Sequence, residues 1–254
     1  MAESDFNPAF VIPVYDHEHA IRATLLGVLE YQMPVLLVDD GSSKPCQTVL
    51  EQLADEFSPR VSLLRLDQNR GKGGALKAGF RYMLEQGFTH GIQIDADGQH
   101  DVADLPGFLQ AAEQQPQALI AGYPEYDESV PKVRYYGRYL THVWVWINTL
   151  SFSIRDTMCG FRLYPLAPLV TQFNEEHCGD RMDFDTEVLV RWYWRGGLVI
   201  NQPVNVRYPL DGVSHFDVWR DNVLITVMHS RLFFGMLRRL PGLIWRKFRA
   251  DNTQ

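Results

Sequence analysis

Short apolar runs alternate with segments of helical spacing through the first hundred residues. Ala9-Phe10-Val11-Ile12-Pro13-Val14, Pro34-Val35-Leu36-Leu37-Val38, Val61 to Leu66 and Thr89 to Asp95 read as buried strands, each closed by polar or turn-forming residues. Between them, Ala20 to Tyr31, Gln47 to Phe57 and Ala75 to Gln86 carry apolar residues near helical spacing. This alternation predicts βαβ units: an α/β fold with a mostly parallel sheet and helices on both faces. Ligands of such sheets sit beyond the carboxyl ends of the strands. Polar groups collect there, at Pro13-Val14-Tyr15-Asp16, Asp39-Asp40-Gly41-Ser42 and Asp95-Ala96-Asp97-Gly98-Gln99. The second half is less regular. No internal repeat or low-complexity linker divides the chain, which favours a single domain with a C-terminal appendage.

Composition narrows the classes. The 254 residues are 46% hydrophobic and 22% charged, as in a soluble globular domain. A net charge of −7 argues against nucleic-acid binding, which needs a basic surface. Cys46, Cys159 and Cys178 lack both disulfide-framework and metal-ligand spacing, so a reducing cytoplasm is expected. The acidic start, Met1 to Asp5, lacks the basic region of a signal peptide. Tyr139 to Ile154 is uncharged but too short and polar to span a bilayer. Charge is uneven: Asn222 to Ala250 holds six basic residues and no acidic one.

Asp95 and Asp97, two apart after a buried strand, can converge on one divalent cation, and Gln99 adds a possible oxygen ligand. Carboxylate and diphosphate oxygens suit Mg²⁺ or Mn²⁺. An isolated Asp-x-Asp is more often only a turn, so its position after the fourth strand carries the weight. Asp39 and Asp40 suit a ribose or base N–H, or a turn and helix cap. Asn69-Arg70-Gly71-Lys72-Gly73-Gly74 has the form of a phosphate cradle before a helix. It matches neither the P-loop spacing nor the dinucleotide fingerprint, so ATPase and dehydrogenase readings are weak.

Taken in order, Val11-Ile12-Pro13-Val14-Tyr15, Val38-Asp39-Asp40-Gly41-Ser42, Asn69-Arg70-Gly71-Lys72-Gly73 and Asp95-Ala96-Asp97-Gly98-Gln99-His100 resemble family 2 glycosyltransferases. Asp156-Thr157-Met158-Cys159-Gly160-Phe161-Arg162 and Phe184-Asp185-Thr186-Glu187 continue the pattern, which is most similar to the polyprenyl-phosphate mannose and glucose synthase branch. The resemblance implies a GT-A fold and inverting transfer of a hexose from a UDP- or GDP-sugar to a lipid-linked acceptor at the inner membrane surface. It implies that Pro13, Tyr15, Asp39 and Asp40 surround the base and ribose, with Asn69, Gly71 and Lys72 on the donor side. Asp95, Asp97 and Gln99 would hold the metal. Arg138 and Arg162 would lie near the acceptor phosphate or diphosphate, or else form structural salt bridges. Asp185, or less favourably Asp183, would serve a hydroxyl acceptor as general base, or simply start a helix. His215 would close over the metal, or remain a loop histidine.

Three positions depart from the pattern. Asp16-His17 stands where Asn-Glu is usual, Tyr123 where an arginine is expected, and His142 where a serine is expected. The region from Tyr123 to Trp146 also resembles a bacterial subgroup tied to aryl-polyene-type glycolipids, which keeps a hydroxyl acceptor open. Two other classes remain. A nucleotidyltransferase would want a Gly-rich loop after the first strand, where Pro13-Val14-Tyr15-Asp16 stands. A non-catalytic nucleotide-sugar-binding membrane scaffold would tolerate loss of the aspartates. The chain divides at residues 1–221 and 222–254, the latter a basic amphipathic segment, broken at Pro241-Gly242, that rests on a membrane or packs on protein.

Overall fold

A computed structural model describes residues 6–125, 132–205 and 218–251. The first half runs β1 (Pro8–Val14), α1 (Ile21–Leu29), β2 (Val35–Asp39), α2 (Lys44–Glu56), β3 (Val61–Arg65), α3 (Lys72–Glu85) and β4 (His90–Gln93). It continues through α4 (Leu105–Gln114), β5 (Leu119–Pro124), α5 (Lys132–Thr149), β6 (Arg162–Pro165), α6 (Leu166–Glu175), α7 (Phe184–Trp194), β7 (Val199–Val204) and α8 (Val218–Asp251). Seven strands make one sheet in the order β3-β2-β1-β4-β6-β5-β7.

β1 is parallel to β2 and to β4, so the strand order turns back between them and opens a crevice at the sheet edge. β6 alone runs antiparallel, with Gln93 of β4 opposite Arg162. That reversal brings the segment before β6, residues 156–161, to the edge where β4 ends. Alternation along β1 feeds two cores: Ala9 and Val11 join one face, Phe10, Ile12 and Val14 the other. The less regular second half completes the sheet.

The C-terminal segment differs from its sequence reading. α8 runs unbroken through Pro241. Pro241 lies on the solvent side, where water can meet the carbonyl left without its usual partner. The inner face of α8 belongs to the catalytic core through Met228, Leu232, Met236 and Leu243. Glu187 of α7 fastens it: fully buried, its carboxylate accepts from Arg191, from Arg231 of α8 and from the Gly179 N–H.

Between α5 and α8, the ring of His229 stacks on Trp144 with centroids 5.9 Å apart. Neither ring nitrogen has a hydrogen-bond partner among the described residues, and burial lowers the pKa to about 4 from an ordinary 6.5. The unfolded chain therefore takes up the His229 proton first as pH falls. Stability is highest above about 6.5 and declines towards 4, by on the order of 2 kcal/mol from this group. His229→Phe keeps the stacking and should flatten that decline. Urea midpoints between pH 7 and pH 4.5 check it; parallel curves for the two proteins would refute it.

Candidate active site

The Gly-rich loop between β3 and α3 is held from beneath. The buried Asp40 carboxylate accepts the backbone N–H groups of Arg70 and Gly71 at 2.7 and 2.8 Å, and its burial raises its pKa against the pull of those donors. Gly71 has φ +88°, and a Cβ there would meet the Asp180 carbonyl oxygen at 2.5 Å, so glycine is required. Asp39 is equally committed. One oxygen accepts the Ser42 N–H and the other the Arg65 guanidinium, both within 2.9 Å. Both aspartates thus shape the loops at the ends of β2 and β3 from inside the fold. Pro13, Tyr15 and Asn69 lie partly exposed beside them.

So fixed, the loop launches α3 with Lys72 at its first turn. The ammonium bridges two carboxylates from distant parts of the chain, Asp95 at 2.8 Å and Asp185 at 2.9 Å. Burial opposes its charge, but Asp185 and Asp95 outweigh that and raise its pKa well above the ordinary value. Asp95 also lies 3.7 Å from the His100 imidazole. Although burial works against its ionisation, Lys72 and His100 hold it well below the usual carboxylate range. The backbone of Gly160 packs directly on the Asp95 carboxylate, where any Cβ would collide.

Asp97, two residues on, forms no ion pair with a basic side chain among the described residues; it accepts the Gln99 backbone N–H at 3.0 Å. Burial and the neighbouring Asp95 charge raise its pKa. A carboxylate in that condition, beside a second one already drawn to an ammonium, fits a divalent cation. The residues that could hold it are Asp95 and Asp97, with the partly exposed Gln99 and His100 alongside. His215 lies outside the described residues.

The two candidate bases separate. Asp185 faces the centre: beyond Lys72, one oxygen accepts from Gln93 at 3.2 Å and lies 3.7 Å from Arg162. Asp183 precedes α7, and its carboxylate accepts the Arg181 N–H with Arg231 at 3.9 Å, away from Lys72. Arg162 is 0% exposed, and its N–H groups reach the carbonyls of Cys159, Thr157 and Asp185 and the Tyr164 hydroxyl. It has no face open to a ligand and acts on the site by positioning Asp185 and the turn before β6.

Arg138 grips the buried Asp156 in a bidentate pair, with His142 at 3.1 Å from the same carboxylate. Asp156 in turn accepts the Met158 and Cys159 N–H groups, both at 2.7 Å, and so fixes the turn that carries Gly160. Sequence reasoning missed this role of Asp156, although it stands in the motif that ends at Arg162. It also missed Arg155, whose guanidinium lies 4.9 Å over the Tyr123 ring, so a cation stands beside the position where an arginine was expected. Gln93 and Tyr164, which extend the network to Asp185, carry no sequence signal beyond lying in strands.

The doubly faced, largely parallel sheet with its acidic β4 edge defines a GT-A fold. Residues 9–171 match the model of glycosyl transferase family 2, and the chain belongs to that family. An uncharacterized protein of Methanocaldococcus jannaschii is 25% identical over 211 residues, 81% of this chain and 90% of its own. The dolichyl-phosphate β-glucosyltransferase of Homo sapiens is 28% identical over 201 residues, 70% of this chain. The match spans 60% of the length of that relative. Glucosyl-3-phosphoglycerate synthase of Mycobacterium tuberculosis, solved with Mn²⁺, UDP-glucose and phosphoglyceric acid, superposes with a TM-score of 0.61 at 12% identity. That superposition covers 91% of this chain and 79% of the synthase.

Arg162→Met should cost about 3–5 kcal/mol, because it leaves the buried carbonyls of Cys159, Thr157 and Asp185 without their donor. Urea unfolding measures it, and an unchanged midpoint would show that these bonds contribute nothing.

Proposed function

We propose that this protein transfers a hexose, with inversion, from a UDP- or GDP-sugar to a polyprenyl-phosphate-like acceptor at the inner membrane surface. The observation that carries the acceptor class is the state of Asp185. Its oxygens already face Lys72, Gln93 and Arg162, so it is poorly disposed to take a proton from an incoming hydroxyl. A phosphate acceptor is already anionic and needs no base. Relatives named as dolichyl-phosphate β-glucosyltransferases, and an undecaprenyl-phosphate mannosyltransferase of Micrococcus luteus that is 38% identical over 104 residues, support the same reading.

The donor lies over the crevice between β1 and β4, its base and ribose near Pro13 and Tyr15 and its diphosphate towards Asp95 and Asp97. An acceptor phosphate oxygen attacks C1 of the sugar from the opposite side, and the bond from C1 to the diphosphate breaks. The departing nucleoside diphosphate takes the electron pair. A divalent cation, held by Asp95 and Asp97 with Gln99, supplies neutralisation of that charge when bound. Lys72 keeps Asp95 ionised and holds both Asp95 and Asp185 in place, and Arg162 holds the turn that packs Gly160 on Asp95. The hydroxyl-acceptor reading finds its best base in Asp185, which is committed elsewhere.

A panel of UDP- and GDP-hexoses, with Mn²⁺ or Mg²⁺, should reveal metal-dependent binding by calorimetry and transfer to polyprenyl phosphate but not to a hydroxylated glycolipid. Asp97→Asn should lower transfer about a hundredfold or more. Metal-dependent binding of no donor would falsify the transferase reading, and transfer only to hydroxyls would overturn the acceptor assignment.

A further inference from the structure

The outward face of α8 is mostly apolar, interrupted by the exposed Ser230. Val223, Val227, Phe234, Leu237, Ile244 and Phe248 recur at helical spacing on the side opposite the core residues Met228, Leu232, Met236 and Leu243, and all six are exposed. Phe234 is 63% exposed. Trp219 and Trp245, near the two ends, are 85% and 57% exposed. At 1.5 Å per residue, Trp219 to Phe248 extends about 44 Å. Helix α5 adds to it. Leu140, Trp144 and Ile147 form an exposed stripe, and the Trp144 ring contacts Phe233 of α8 at 6.2 Å and T-shaped geometry.

Charge points to the occupant. The protein carries 31 acidic residues, yet none falls within Lys132–Thr149 or between 222 and 250. The basic residues of α8, however, do not all face outward. Arg231 pairs with Glu187, Arg239 lies over the Trp194 ring, and Arg246 donates to the carbonyls of Tyr193 and Trp194. Arg238 and Lys247 remain exposed beside the stripe. A long apolar strip with tryptophans near its ends, modest positive charge and no acid suits a lipid headgroup boundary. Pro241 lies in the strip, which suits a soft surface better than the regular seam of a paired helix.

We propose that α5 and α8 together dock the protein on an anionic phospholipid surface, mainly through apolar insertion rather than through the basic charge of the C-terminal segment. The proposal rests on the lipid-acceptor reading and adds where the bilayer lies. The same α5 carries Arg138 and His142, which hold Asp156 and through it the turn against Asp95. The docked face therefore adjoins the acceptor side of the site.

The test uses the full chain in co-sedimentation with vesicles of phosphatidylcholine and phosphatidylglycerol, or phosphatidylcholine alone. Wild type should bind the anionic vesicles, and raising NaCl from about 0.1 to about 0.5 M should weaken binding less than about threefold. Phe234→Glu on α8 and Leu140→Glu on α5 should each weaken binding about tenfold, with thermal melts unchanged because both sites are exposed. Binding unaffected by Leu140→Glu, or abolished by salt alone, would overturn the proposal. So would a dimer, seen by light scattering, that Phe234→Glu dissociates. Donor binding on the same samples separates the two readings. A wild type that binds nucleotide sugar but no vesicle sinks the docking face alone. One that binds vesicles but no donor sustains the face and sinks the transferase.

Discussion

A single ammonium group, that of Lys72, joins the two halves of this molecule at its working edge. Asp95 comes from the end of β4 and Asp185 from the start of α7, ninety residues later, and each carboxylate lies within 3 Å of the same nitrogen. Three charges drawn largely out of water are tolerable only when they compensate one another closely. The surroundings are accordingly arranged to keep Lys72 in place. Asp40 clamps the loop before it, Gly71 supplies the left-handed turn, and α3 packs on the sheet.

From that bridge the network spreads through buried side chains. Asp185 is steadied by Gln93 and Arg162, Gln93 by Tyr164, and Arg162 by the carbonyls of the turn before β6. Burial pushes the Tyr164 hydroxyl pKa up to about 12, so it stays a neutral donor to Gln93. The antiparallel entry of β6 makes this possible, since it faces Arg162 with Gln93 and sets Gly160 against Asp95. The carboxylate edge is thereby built on strands and packed side chains rather than on free loops.

The first four strands were legible because each is a short apolar run closed by turn residues; β1, β2 and β4 are buried on both faces, which demands that composition, while β3 lies at the sheet edge and buries only Val61. Asp95 and Asp97 were legible for the same reason: strand ends announce themselves. Long-range pairing was not. Nothing local in Arg162-Leu163-Tyr164-Pro165 indicates that β6 runs backwards, and only that reversal turns Arg162 from an apparent ligand into a buried support. Asp39 and Asp40 look like ribose ligands by position, yet their oxygens are taken by Arg65, Ser42 and the Gly-rich loop. The Pro241 break was expected because proline removes a helical hydrogen bond. The helix continues because that loss falls on its outer side.

The edge near α5 is built differently from the edge around the Gly-rich loop. Around that loop, Asp39 and Asp40 are anchored to backbone groups from inside the fold and Gly71 fits where no Cβ could. Near α5, Arg138, His142 and Asp156 connect the edge of the site to the helix, and α5 leans on α8 through Trp144. A conformational change in α5 would thus be felt at Asp156, whose carboxylate orients the turn that touches Asp95. His142, which departs from the family pattern, sits in that chain of contacts rather than outside it. His142 thus marks where the carboxylate edge is coupled to the helical face, away from the Asp40-clamped Gly-rich loop.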